Sequence, residues 1–243
     1  MNPLLRWIGL LIAAFLALQL FFVARIALML VVHPESTTFQ RSEAWRLARE
    51  HGELRWRQQW VPYAQISDNL KRAVIASEDD DFVNHDGVEW EAIEKAWQKN
   101  AKAEELAARR ALQARPAKRP PKIVGGSTIS QQLAKNLFLS GERTLLRKGQ
   151  EFVLTMLLEH ILGKQRILEI YLNSVEWGEG VFGAEAAAQH YYRKTASKLS
   201  AYEAARLAVM LPRPKYFEKV PRSGYLSSRA STIVARMRDA ELP

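Results

Sequence analysis

The chain contains no cysteine, which excludes a disulfide framework and any thiolate-bound metal or cluster. An oxidising compartment suits a chain without stray thiols. Histidine is scarce too. The five, at positions 33, 51, 85, 160 and 190, show no ligand spacing, so a structural metal cage is not expected. Strand-like alternation is rare, which makes the expected fold class mainly α. There is no internal repeat, zinc finger, helix-turn-helix signature or RNA-binding aromatic motif. The glycines of "GEGVFG" (178–183) do not form a dinucleotide fingerprint, because no strand precedes them.

What is present begins with an apolar run. From Trp7 to Ala24 only Gln19 interrupts it, and after Arg25 it resumes as "IALMLVV" to Val32. That length spans a bilayer. The run ends in "LMLVVHPES" without a small-x-small cleavage site, so residues 1–32 are expected to be an uncleaved transmembrane anchor. Arg6 and the terminal amine lie on one side while Arg25 can snorkel to the other, so charge alone leaves the orientation open. The formal net charge of +9 implies an anionic partner, and next to an anchor a lipid headgroup or lipid phosphate fits better than nucleic acid.

The 243 residues leave room for one sizeable domain, read as 67–243 behind a polar connector at 33–66. Within the connector, "RWRQQWVPYAQIS" suggests a short extended piece ending near Pro62. Periodicity then predicts helices at about 67–78, 89–113, 128–139, 144–162, 164–173, 184–192 and 200–211. On the second of these, Trp90, Ile93 and Trp97 share a face. "ARPAKRPPK" (114–122) breaks it with three prolines among cations, and about 99–122 is expected to be a basic, mobile segment. The last helix opens on a capping box, Ser200 with Glu203, and stops at Pro212.

Four consecutive acids, Glu78 to Asp81, stand where the first of these helices ends. Carboxylates repel one another and are misplaced at the negative pole of a helix, so the arrangement costs stability. Leu70, Val74 and Glu78 lie at i, i+4, i+8, which puts the first acid on the apolar stripe while its neighbours turn to water. A carboxylate against apolar surface has a raised pKa, as a general base requires. Taken alone, an acidic run is more often a solvated loop. His85, just past it, could orient the acids or simply pack.

"GGSTISQQLAKN" (125–136) combines a tight turn with a capping box, Thr128 and Gln131, so that backbone N–H groups open into a loop. Ile129, Leu133 and Leu137 form its buried stripe, while Gln132, Lys135 and Asn136 line another face with donors. In "RTLLRKGQE" (143–151), Arg147 and Lys148 precede Glu151 by one turn. By default these are surface ion pairs, each contributing about 0.3–0.5 kcal/mol; the functional alternative lets the same cations hold a phosphate.

Each motif alone is weak, but their order is specific. "EDDDFVNHDG", "GGSTISQQLAKN", "RKGQE", "KQRILEIYLNSVEWGEGVFG" and "KLSAYEAARLAVMLP" together resemble the five motifs of the family 51 peptidoglycan glycosyltransferases. With one anchor and no room for a transpeptidase domain, the chain is similar to their monofunctional members. The resemblance implies a lysozyme-like helical domain outside the cytoplasmic (inner) membrane, held by a single pass with the N-terminus in the cytoplasm. It implies polymerisation of lipid II into β-1,4-linked glycan with release of undecaprenyl pyrophosphate. Glu78 would be the base that deprotonates the 4-hydroxyl of the acceptor GlcNAc for inverting attack on C1 of the donor MurNAc. Glu151 would act at the donor phosphate, with Lys135, Arg147 and Lys148 neutralising the pyrophosphate. Asp79, Phe82, His85 and Gly87 match the first motif around Glu78. Gly126, Ser127, Thr128, Gln131, Gln132 and Asn136 would shape the cleft, and Asn173 and Gly180 match the fourth motif as substrate-binding positions.

The resemblance implies no obligatory cofactor, leaving a divalent cation, Mg or Mn, as an option between Glu151 and the pyrophosphate. Its partners would be lipid II, the growing lipid-linked glycan, membrane lipids, and other cell-wall synthesis or division proteins, with no nucleic acid. Two departures stand out: the stretch between the first two motifs is long, and Ser130 stands where the family often has Thr. Two other classes compete, a lysozyme-like hydrolase and a non-enzymatic anchored scaffold that binds anionic polymer through residues 99–122.

Overall fold

The computed structural model describes residues 3–112, 126–142 and 144–243. Helix α1 (Pro3–Leu28) is long and apolar enough to cross a membrane. Most of its residues are exposed, and its last turns meet the domain through the buried Ile26 and through Phe22, which meets Phe138 edge-on, with the buried Met29 just beyond its end. Gln19, the polar interruption in the run, exchanges amide hydrogen bonds with Gln150 at 3.2 and 3.4 Å. Sequence reasoning gave that residue no partner.

Residues 33–66 are more than a connector. They contain α2 (Thr38–His51), opened by a capping box of Thr37 and Gln40, and β1 (Arg57–Gln58). The helix was not legible because few of its residues are apolar; Leu47 is its buried anchor. Long-range hydrogen bonds hold it, from Thr38 Oγ1 to the Leu137 carbonyl at 2.9 Å and from Gln40 Nε2 to the Ser174 carbonyl at 3.2 Å. Tertiary contact here outweighs weak periodicity.

The domain is two packed groups of helices. In one, α3 (Asp68–Glu78), capped by Ser67, lies against α9 (Ala201–Met210) and α11 (Gly224–Arg236). In the other, α5 (Ile129–Phe138), α6 (Leu145–Leu162) and α7 (Lys164–Ser174) pack together. The expected stripes are buried, Leu70 and Val74 on α3 and Ile129, Leu133 and Leu137 on α5. α4 (Trp90–Leu112) and α8 (Ala184–Tyr192) stand close to their predicted limits. Trp90 and Trp97 are exposed. Residues 99–112 belong to α4 rather than to a mobile segment; the proline break at 114–122 and Gly125 lie outside the described residues. α10 (Pro214–Lys219) and α11 were not anticipated, the first because a Pro-rich stretch reads as a stop although Pro at N1 is pre-shaped for a helix.

Strands are as scarce as expected. β2 (Glu176–Gly178) pairs antiparallel with β3 (Val181–Phe182), and β1 adds to β3 in parallel. Gly180, at the β2–β3 turn, has φ +71°, and a Cβ there would stand 1.9 Å from the Arg55 carbonyl oxygen. Backbone cannot give way cheaply. Gly180→Ala is expected to destabilise the fold by about 2–3 kcal/mol, lowering Tm by roughly 5–10 °C; an unchanged melting curve by circular dichroism would refute the close approach.

Candidate active site

The C-terminal end of α3 meets the N-terminal end of α5, and Asp79 joins them. Its Oδ2 accepts the Ile129 N–H at 2.8 Å, and its Oδ1 lies 2.8 Å from His85 Nε2. His85 Nδ1 accepts the Gly87 N–H at 2.9 Å, which leaves Nε2 to carry the proton and donate to Asp79. The Gly87 carbonyl in turn accepts Thr128 Oγ1 at 2.6 Å. Asp79 is thus buried, not turned to water as the periodicity suggested. It trades the unfavourable pole of α3 for the favourable pole of α5.

This lock leaves Glu78 beside the apolar stripe, partly exposed at the rim of a cavity of about 210 Å³ with Ser77, Asp80, Glu89, Gly126, Ser127 and Arg236. Gln132 Nε2 donates to Glu78 Oε2 at 3.0 Å, while Tyr171 Oη donates to Gln132 Oε1 at 2.9 Å. The tyrosine therefore decides which way the amide faces. Burial, with Glu78 and Asp79 nearby, pushes the Tyr171 hydroxyl well above its usual range, so it remains a donor. Desolvation also raises Glu78; the bonds from Gln132 and Ser77 pull it down less, and Asp79 adds to the rise. Sequence spacing does not single out Tyr171, and nothing in one sequence marks it. Tyr171→Phe is expected to lower kcat/KM for glycan polymerisation about tenfold, the worth of one misplaced hydrogen bond to a charged group. A rate within twofold of wild type would remove Tyr171 from the site.

A larger cavity, about 720 Å³, opens on the other side of Gln132 and Ser127. Gln131, Lys135, Asn136, Arg147, Lys148 and Glu151 line it. Glu151 is buried, so its ion pairs are not the surface pairs that spacing alone suggested. Arg147 Nη1 meets Glu151 Oε2 at 2.8 Å and Lys148 Nζ grips the other oxygen, Oε1. The clamp holds the carboxylate but leaves cationic donors on the cavity wall, and Arg147 Nε is buried without an acceptor.

Several residues of the matched motifs lie behind the cavity walls rather than on them. Phe82 is fully buried, under the Lys164 ammonium at 4.6 Å and edge-on to His85. His85 and Gly87 serve the Asp79 lock; a Cβ on Gly87, at φ +86°, would approach Glu159 Cγ and Thr155 Cγ2 to 2.8 Å. Asn173 is fully buried and staples the β1 segment, its Oδ1 accepting from Val61 N at 2.9 Å and its Nδ2 donating to the Val61 carbonyl at 3.0 Å. Gly180 borders a separate cavity with Arg57 and His190. A matched motif contains scaffold as well as contact residues, and spacing does not separate them. Ser130, the departure from the family pattern, keeps its hydroxyl at work, donating to Glu159 Oε1 at 2.5 Å.

Residues 46–238, most of the chain, match the protein family described as Transglycosylase. The chain belongs to the transglycosylase family. Among curated transglycosylase relatives, the biosynthetic peptidoglycan transglycosylase of Burkholderia thailandensis is 54% identical over 242 residues, covering 98% of this chain and 88% of its own. That of Paraburkholderia xenovorans is 52% identical over 243 residues, covering 98% and 94%. Those alignments run through α1 as well as the helical transglycosylase domain.

Proposed function

We propose that this chain polymerises lipid II into β-1,4-linked peptidoglycan strands, inverting at MurNAc C1 and releasing undecaprenyl pyrophosphate. The observation that carries this reading is the contrast between two sheltered carboxylates. Glu78 has no cation paired to it among the described residues, whereas Glu151 is clamped by Arg147 and Lys148. A free carboxylate of raised pKa suits a base, and a cationic wall suits a pyrophosphate.

In this mechanism the large cavity takes the donor and the small one the acceptor. Arg147, Lys148 and Lys135 face the donor pyrophosphate, while Glu151 holds the first two in place. Glu78, aimed by Gln132, accepts the proton of the acceptor 4-hydroxyl as that oxygen bonds to C1. The C1–O bond to pyrophosphate breaks with inversion, and the leaving anion needs cations rather than a proton. Both Glu151 oxygens are engaged, so the donor set does not fit a protein-held divalent cation, and no step passes through one. α1 would anchor the domain on the outer face of the cytoplasmic membrane with the N-terminus inside, which brings the cleft to a lipid-borne donor.

The competing hydrolase needs its second carboxylate free, as nucleophile or as base for water; a clamped Glu151 supplies neither. Incubating the full-length protein in detergent with labelled lipid II separates the two. The expected result is a ladder of lysozyme-sensitive polymer with release of undecaprenyl pyrophosphate. Shortening of preformed glycan with no polymer would sink the transferase reading.

A further inference from the structure

A third acid stands in the donor cavity. Glu176, on β2, is only 7% exposed, yet it lines the same cavity as Glu151. Its Oε1 is buried with no hydrogen-bond partner. Lys215 Nζ is 3.4 Å away, within ion-pair reach, but that ammonium makes its close contact with Glu43. Leu211, Pro212 and Pro214 line the same cavity and offer no side-chain donor. A buried carboxyl with unused hydrogen-bonding capacity, facing a substrate-sized space, is costly unless something fills it.

Resting on the transglycosylase reading, we propose that Glu176 is a donor-binding residue whose incompletely satisfied carboxyl takes a neutral hydrogen-bonding group of lipid II, a sugar hydroxyl or an amide, next to the pyrophosphate clamp. The groups around it set its charge. Lys215 comes from α10, Glu43 and Arg46 from α2, and Tyr191 from α8; β3 brings no ionisable side chain. Desolvation dominates, Lys215 and Arg46 oppose it and Glu43 reinforces it, which leaves the carboxyl at about 7. Below that pH Glu176 is neutral and both donates and accepts. Above it, a carboxylate in the donor cavity repels the pyrophosphate. Donor affinity should therefore fall as pH rises through neutrality, with no matching change in the chemical step.

The test is steady-state polymerisation by the full-length enzyme, with kcat and KM for lipid II measured separately from pH 6 to pH 8.5. In wild type KM is expected to rise about fivefold across this range, the worth of one neutral hydrogen bond. Glu176→Gln keeps the size and the donor and removes the charge, so its KM should be flat and its kcat near wild type. Glu176→Leu should carry a KM about fivefold higher at every pH. Lys215→Met removes an opposing cation, and the KM rise should move to higher pH. A packing role alone would not move that midpoint. A Glu176→Gln enzyme that keeps the wild-type rise, or that loses kcat instead, overturns the proposal. A wild type that polymerises with a pH-independent KM overturns it alone; a wild type that neither binds nor polymerises lipid II overturns it together with the reading beneath it.

Discussion

Glu78→Gln is expected to abolish polymerisation of lipid II, by at least 10²–10⁴-fold in kcat, while leaving the helical content unchanged. Gln keeps the shape, and its carboxamide can still pair with Gln132, but it cannot accept a proton at neutral pH. The stability change runs the other way. Burial raises the Glu78 pKa in the folded chain, so the folded state holds its proton more tightly than the unfolded state does. Between the unfolded and folded pKa values the folded chain binds more protons, and its stability declines as pH increases. At neutral pH the wild type carries the cost of an ionised, desolvated carboxylate, and Glu78→Gln removes it. The variant should therefore melt at or above the wild-type temperature at pH 7.5, the difference shrinking at pH 4.5. Activity of the wild type should rise with pH through the raised Glu78 pKa, because only the ionised form is a base. Substantial polymer from Glu78→Gln would reassign the base.

The acidic run at 78–81 shows which parts of such a site are legible in sequence. Its cost at a helix end was plain, and so was the position of Glu78 on the apolar stripe. The period of the helix stops being a guide one residue later. Asp79 leaves α3 with φ −167°, extended backbone that turns its side chain inward to Ile129 N–H and His85. A contact fifty residues away decided its burial, and helical spacing carries no record of that. The same limit hid Tyr171, whose role depends on reaching Gln132 across two packed helices.

Local signals fared better wherever the physics is local. The capping boxes at Thr128 and Ser200 start their helices where expected. The i, i+3 and i, i+4 spacings around Glu151 bring Lys148 and Arg147 to its two oxygens. Spacing did not tell whether that trio faced water or a cavity, a question of tertiary burial. Nor did it tell that α2 would line the larger cavity with Thr38, Phe39 and Glu43. Glu176 sat inside a recognised motif and drew no attention, because a lone acid between apolar neighbours acquires meaning only from Lys215 and Glu43, on other elements.

Lys148→Ala and Arg147→Ala separate the two duties of the cationic clamp. The Lys148 side chain is 52% exposed, against 17% for Arg147, while the Glu151 side chain they share is only 5% exposed. Removing the half-exposed lysine leaves Glu151 still held by Arg147, and a pair that exposed contributes at most about 1 kcal/mol to stability. In the proposed mechanism its ammonium faces the departing pyrophosphate, so kcat should fall about 10²–10³-fold with Tm changed by less than about 3 °C. Arg147 is different. Its loss strips a buried carboxylate of its better-sheltered partner, which costs on the order of 2–3 kcal/mol and should lower Tm by roughly 5–10 °C. The activity loss should be at least as large, because Arg147 Nε is a buried donor without an acceptor and a phosphate oxygen is the group that would satisfy it. Lys148→Arg should recover part of the rate, since it restores the charge. Measuring kcat on lipid II alongside thermal melts decides the matter: Lys148→Ala within threefold of wild type would make the clamp purely structural, and equal Tm losses in the two variants would mean that burial does not divide their duties.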